Sequence, residues 1–107
     1  MSAVKTIDSV RALIAAGNGR VSREDLPVAC VLMQNRPLRK RVLAGERVSY
    51  RGQAVTGLAA AIEKLTEKGE LVAKGADVVG VNLAASSPEL VDVAAGIWHA
   101  LKGSAEK

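Results

Sequence analysis

The chain has 107 residues, 49% of them hydrophobic, and a formal net charge of +4, with one tryptophan, one tyrosine and no phenylalanine. This length gives one domain with one real core, and this hydrophobic share excludes disorder along the whole chain. The scarcity of rings leaves Val, Leu, Ile and Ala to fill the core, and it excludes a single-stranded nucleic-acid platform built on base stacking.

Cys30 is the single cysteine, so no intramolecular disulfide forms. With no signal-peptide pattern at the N-terminus, the chain reads as cytoplasmic. No apolar run approaches the ~20 residues needed to cross a bilayer, so no membrane role is expected. Residues 36–51 hold six basic side chains against the single acid Glu46, so the whole positive excess is local.

The first helix is predicted over residues 3–16, with Val4, Ile7, Val10, Leu13 and Ile14 on one face. Ser2 or Thr6 caps its start, and Gly17-Asn18-Gly19 stops it. Asp8-Ser9-Val10 is similar to the prosthetic-group site of acyl carrier proteins. It opens the first helix with no helix before it, and it reads as a chance match.

Ser22 and Asp25 come close to a capping box, with Val21 and Leu26 placed as a hydrophobic staple. Pro27 fits better if Asp25 is the cap, because proline is tolerated in a first turn. Residues 28–33 are apolar all round, as in a buried helix or a buried strand. Periodicity does not separate these two, and the capping signals favour helix over 26–34.

Pro37 begins a short helix over 37–44, closed by Gly45. Leu38 and Val42 face inward, and Arg36, Arg39, Lys40 and Arg41 line the outside. Residues 46–50 form a short strand or an extended loop, ended by Gly52.

The stretch 53–83 organises the rest. Val55, Leu58, Ile62 and Leu65 share one side of a helix that Gly69 closes in the left-handed conformation. Residues 70–73, the Lys74-Gly75 turn and residues 77–83 then read as a β-hairpin.

Ser87-Pro88-Glu89 starts the last helix with a cap, a proline and a first-turn acid. It runs to about Lys102, where Gly103 closes it. Residues 1–103 thus form one compact domain and 104–107 a frayed tail. Leu90, Ala94, Ile97 and Leu101 make one stripe, with Val91 and Trp98 beside it. That stripe covers the domain's own core or, with Ala95 and Gly96 allowing close approach, forms a homodimer or partner seam.

Catalysis is set aside. His99 and Cys30 stand alone, and a His/Cys metal site is excluded in a monomer by ligand count. Gly17-Asn18-Gly19 lacks the lysine and strand of a phosphate loop. Glu63 and Glu67 alternate with Lys64 and Lys68 as a solvated face. No catalytic residue, metal or cofactor is expected.

The functional lead is the basic segment: Arg36, Arg39, Lys40, Arg41, Arg47 and Arg51. Such a cluster neutralises phosphates and releases counterions. The same residues suit an acidic protein partner, or simple solvation of an apolar chain.

The order of elements resembles winged helix-turn-helix domains over about residues 4–83: a first helix, Gly19-Arg-Val-Ser22, a capped second helix, then Ile62-Glu-Lys-Leu-Thr-Glu-Lys-Gly69 and a hairpin. The resemblance implies that the helix before the wing enters the major groove while the wing touches the backbone. It makes Gln53, Thr56, Lys74 and Gly75 contact candidates. The sequence departs from that pattern in residues 34–52, which replace a short turn, and in Glu63, Glu67 and Glu70, which repel phosphates.

The reading is a helix-dominated α+β domain of four or five helices and one β-hairpin. Its function is non-enzymatic: a small basic regulatory or accessory protein contacting the backbone of double-stranded nucleic acid. The alternative is a protein-interaction or inhibitory module, homodimeric through its last helix, with no nucleic-acid affinity.

Overall fold

Two glycines and an asparagine bring the first helix to an end and aim the chain into a sheet. The computed structural model describes residues 5–46 and 57–105, with side chains to residue 101. Helix α1 (Thr6–Ala16) buries Ser9, Val10, Ala12, Leu13 and Ile14. Its cap position is Lys5, with no side-chain cap bond. Thr6 is not the cap; its hydroxyl accepts from Gln34 Nε2 at 2.9 Å, and Ser2 lies outside the described residues. Asn18 and Gly19 then take φ of 61° and 85°, the left-handed region. Gly17 serves a close approach: a Cβ there would stand 2.5 Å from Val21 Cγ1.

That approach seats β1 (Arg20–Ser22), a strand the sequence reading did not anticipate. Ser22 Oγ accepts from the Glu24 N–H at 3.2 Å, closing a tight turn instead of capping a helix. Asp25 holds the cap position of α2 (Leu26–Gln34), without a side-chain bond, and Pro27 sits in the first turn. Leu26, Ala29, Cys30, Val31, Leu32 and Met33 are buried, so the apolar run is a helix inserted into the core.

Asn35 breaks the chain in extended conformation, and its Oδ1 accepts from the Leu38 N–H at 3.1 Å. It thereby caps α3 (Arg36–Leu43), where Pro37 needs no donor of its own. Leu38 is buried and Val42 half-buried against the core, as their spacing requires. Helix α4 (Leu58–Glu67) follows Gly57 in the left-handed region and buries Ala61 and Leu65. Gly69, at φ +77°, ends it as expected. Residues 47–56, including Val55 and the 46–50 stretch beyond Glu46, lie outside the described residues.

Strands β2 (Leu71–Lys74) and β3 (Asp77–Gly80) form the expected hairpin. The two-residue connection Gly75-Ala76 puts glycine at φ +60°, in the first central position, where a tight hairpin turn needs it. The sheet has three antiparallel strands in the order β1-β3-β2, with Val21 opposite Val78 and Leu71 opposite Gly80. Val21, Leu71 and Val78 point into the core.

Helix α5 (Pro88–Ala105) starts where the sequence places it, with Ser87 Oγ accepting from the Leu90 N–H at 3.2 Å. It passes through Gly103 instead of stopping there, so helix extends into the stretch read as a tail. A glycine costs a helix about 1 kcal/mol without forbidding it. The layout is helix-dominated α+β, with α1 in the middle: α5, α2 and α4 pack around it, and β1 and β3 lean on it. No helix among the described residues is long and apolar enough to cross a membrane.

Candidate nucleic-acid interface

Within the described part of the basic segment, the four cations differ in their surroundings. Arg39 turns back along its own helix, and its Nη1 donates to the carbonyls of Met33 at 2.9 Å and Leu32 at 3.5 Å. It therefore satisfies the last turn of α2, and partial burial together with Arg36 pulls its pKa down. Arg41 pairs with Glu46 at 3.3 Å on the exposed side. Arg36 and Lys40 are exposed and have no ion-pair partner among the described residues. Arg47, Arg51, Gln53 and Thr56 lie outside the described residues. Helix α3 packs on α2 and α5, whereas the hairpin belongs to the α1, α4 and β1 side.

A second group of cations gathers at the hairpin. Lys74 is exposed at the last position of β2, beside Gly75. The Arg23 N–H donates to the Ala76 carbonyl at 2.9 Å, which locks the residue after β1 onto the turn of the hairpin. The Arg23 side chain is exposed and forms no ion pair among the described residues. Arg20, by contrast, is neutralised by Asp77 at 2.6 Å across β1 and β3. Arg23 also stands at the rim of a groove of about 400 Å³ between α2 and α4, walled by Leu26, Pro27, Leu58, Ala59, Ile62 and Glu63. One edge of the domain thus carries two unpaired cations, a hairpin tip and the mouth of a groove.

The outward side of α4 is poor in donors. Ala59, Ala60, Glu63, Lys64 and Glu67 are exposed, and Thr66 turns its hydroxyl onto the Ile62 carbonyl at 2.8 Å. Glu63 and Glu67 remain exposed acids beside Lys64 and Lys68. Glu70, also expected to repel phosphate, has a different role. It is buried and held by Arg11 through two hydrogen bonds of 2.7 and 2.8 Å. Its charge is matched inside the protein.

The stripe on α5 is turned inward. Ala94 and Ile97 are completely buried in the core, and Leu90, Trp98 and Leu101 pack against it. Trp98 Nε1 donates to the Leu13 carbonyl at 2.8 Å. These residues join α5 to α1, and the side left to solvent carries Glu89, Asp92, Ala95 and His99.

Ser9 is completely buried, which removes the surface that attachment of a prosthetic group requires. Cys30 is completely buried as well, and desolvation pushes its pKa up to about 12. Among the described residues no three His, Cys, Asp or Glu side chains come together in a way that could hold a metal ion.

Arg23 is the functional candidate that the sequence reading passed over. Its neighbours in the chain give it no mark, since its partner Ala76 lies on the far side of four other elements. Comparison with protein-family models, with curated proteins and with solved structures returns no match.

Proposed function

We propose that this chain binds the phosphate backbone of double-stranded nucleic acid through the edge formed by Arg23, Lys74 and the hairpin turn, as a small non-enzymatic regulatory or accessory protein of the cytoplasm. The observation that carries the reading is the bond from the Arg23 N–H to the Ala76 carbonyl. It fixes the backbone of Arg23, whose exposed side chain forms no ion pair among the described residues, at the turn that follows Lys74. Two exposed cations beside an exposed turn suit phosphate contact, in which position matters more than base identity.

The order of elements supports the reading. Taken without α3, the run α1-β1-α2-α4-β2-β3 with strand order β1-β3-β2 is what winged helix-turn-helix domains share. In that reading α4 is the helix presented to the groove and β2–β3 is the wing. The burial of Glu70 supports it too, because it leaves one acid fewer at the end of α4. The inserted α3 is what sets this chain apart from that pattern. The exposed alanines and acids of α4 favour backbone positioning over base readout.

Fluorescence anisotropy with a random duplex at low salt tests the proposal. Replacing Arg23 and Lys74 together by Ala lowers affinity and flattens the salt slope by about 1.8, two phosphate contacts at ~0.9 each. Replacing Arg41, exposed on α3, by Ala serves as a loss of charge elsewhere and changes affinity less. Wild-type protein that gives no binding at ~50 mM salt up to the non-specific range of ~10⁻⁴ M overturns the reading. The protein-interaction module then takes its place.

A further inference from the structure

The outer face of α3 and α5 carries both signs of charge in a matched arrangement. Arg36, Lys40 and Leu43 fall on one stripe of α3, and Glu89, Asp92 and Gly96 on the adjoining side of α5. The two stripes meet where Leu43 Cδ2 lies 3.6 Å from the place a Cβ on Gly96 would occupy. Leu43 is 47% exposed there, one of two large apolar side chains, with Val81, that the described residues leave open. Ala95 is exposed beside it and extends the apolar strip.

The spacings within each helix are alike. Lys40 and Arg36 precede Leu43 by three and seven residues, or about 5 and 10 Å at ~1.5 Å per residue. Asp92 and Glu89 precede Gly96 by four and seven residues, or about 6 and 10 Å. All four charged groups are exposed, and none forms an ion pair among the described residues. A partner of one sign meets repulsion on half of this face. A second copy turned through a two-fold axis meets attraction on both halves, because each basic stripe then lies over an acidic one.

We propose that this face is a homodimer contact, with Leu43 of each chain on Ala95 and Gly96 of the other, and Lys40 and Arg36 opposite the other chain's Asp92 and Glu89. The contact is independent of the duplex-binding edge. It uses the outside of α5, since the inward stripe is already occupied by the chain's own core.

Sedimentation equilibrium without nucleic acid, from micromolar to millimolar protein, tests it. The wild type shows a monomer–dimer equilibrium. Lys40→Glu and Asp92→Lys each weaken it by about tenfold or more, because each change acts twice in a two-fold contact and brings like charges together. The two changes in one chain restore the opposition and recover most of the lost affinity. Leu43→Asn weakens the dimer with no charge change, and circular dichroism confirms that each variant folds. A protein monomeric throughout overturns the proposal. So does a dimer indifferent to the single changes, or a double variant no better than either single.

Discussion

Arg11 and Glu70 meet as a two-pronged ion pair, Nε to Oε1 at 2.8 Å and Nη2 to Oε2 at 2.7 Å, between the middle of α1 and the residue that joins α4 to β2. The Ala84 N–H adds a third bond to Oε1 at 3.0 Å, and Asp8 stands 3.5 Å from the guanidinium. The Glu70 carbonyl accepts from Val81 and Asn82. One side chain and its own backbone thus pin the exit of the hairpin to the helix at the centre of the fold.

Removing one member of this pair leaves the other poorly solvated. Glu70→Ala is expected to lower stability by about 3 kcal/mol in urea unfolding, the low end for a broken buried pair, since Arg11 keeps some contact with water. Replacing both, Arg11→Met with Glu70→Leu, costs less than Glu70→Ala alone. A double variant that is the worse of the two refutes this account.

The same pair sets the response to acid. Hydrogen bonds from Arg11 and then from the Ala84 N–H hold the Glu70 carboxyl down at about 2, against 4.5 in the unfolded chain. Between those values the unfolded state binds the extra proton, so stability rises with pH there. The contribution of Glu70 is complete above about 4.5 and disappears as pH falls toward 2. Urea midpoints for wild type and Glu70→Gln at pH 6, 4 and 3 therefore draw closer together as pH drops.

Cys30 gives the opposite sign. Burial raises its thiol to about 12, against 9.0 for the free group. The stability due to its protonated state is present below about 9 and is lost as pH climbs toward 12. A thiol reagent at pH 8 modifies the native protein only as fast as it opens, and mild urea accelerates labelling in step with unfolding.

Arg39→Ala separates capping from ligand contact. Loss of the bond to the Met33 carbonyl is expected to cost about 1 kcal/mol. Duplex affinity at low salt stays near that of wild type, in contrast to the Arg23 and Lys74 double variant. A large drop in affinity with unchanged stability assigns Arg39 to the contact surface instead.

Trp98→Phe keeps the packing of the ring and removes the donor to the Leu13 carbonyl. The loss is expected to be about 1 kcal/mol, read by thermal unfolding followed with far-UV circular dichroism. As the single tryptophan, Trp98 also reports unfolding in the wild type by a red shift of its emission.

Local chemistry was legible where a few adjacent residues decide the outcome. Ser87-Pro88-Glu89 starts α5, Asp25 and Pro27 start α2, Gly69 ends α4, and Gly75 turns the hairpin, each within one residue of its expected place. Strand β1 was not legible, because three residues, Arg-Val-Ser, are too few to show alternation, and they become a strand only by pairing with β3. Side chains whose partners sit on another element were misread for a similar reason. Arg39 looked like one more surface cation and Glu70 like a free acid, since nothing in the linear order places a carbonyl or a guanidinium beside them. The stripe on α5 was legible as apolar, but its destination was not. Helical spacing marks a face without saying whether it meets the chain's own core or another molecule.

The strand order has a consequence for synthesis. The middle strand of the sheet, β3, is the last of the three to be made, and β1 precedes it by about half the chain. While the ribosome is still adding residues before Asp77, Val21 and Leu71 have no partner strand and remain open to solvent or to a chaperone. Closing that long loop carries an entropic cost, which the packing of α2 and α4 on α1 lowers by drawing the intervening chain together. The sheet therefore closes late, once β3 has left the exit tunnel, and truncations before residue 80 yield chains without the three-stranded sheet.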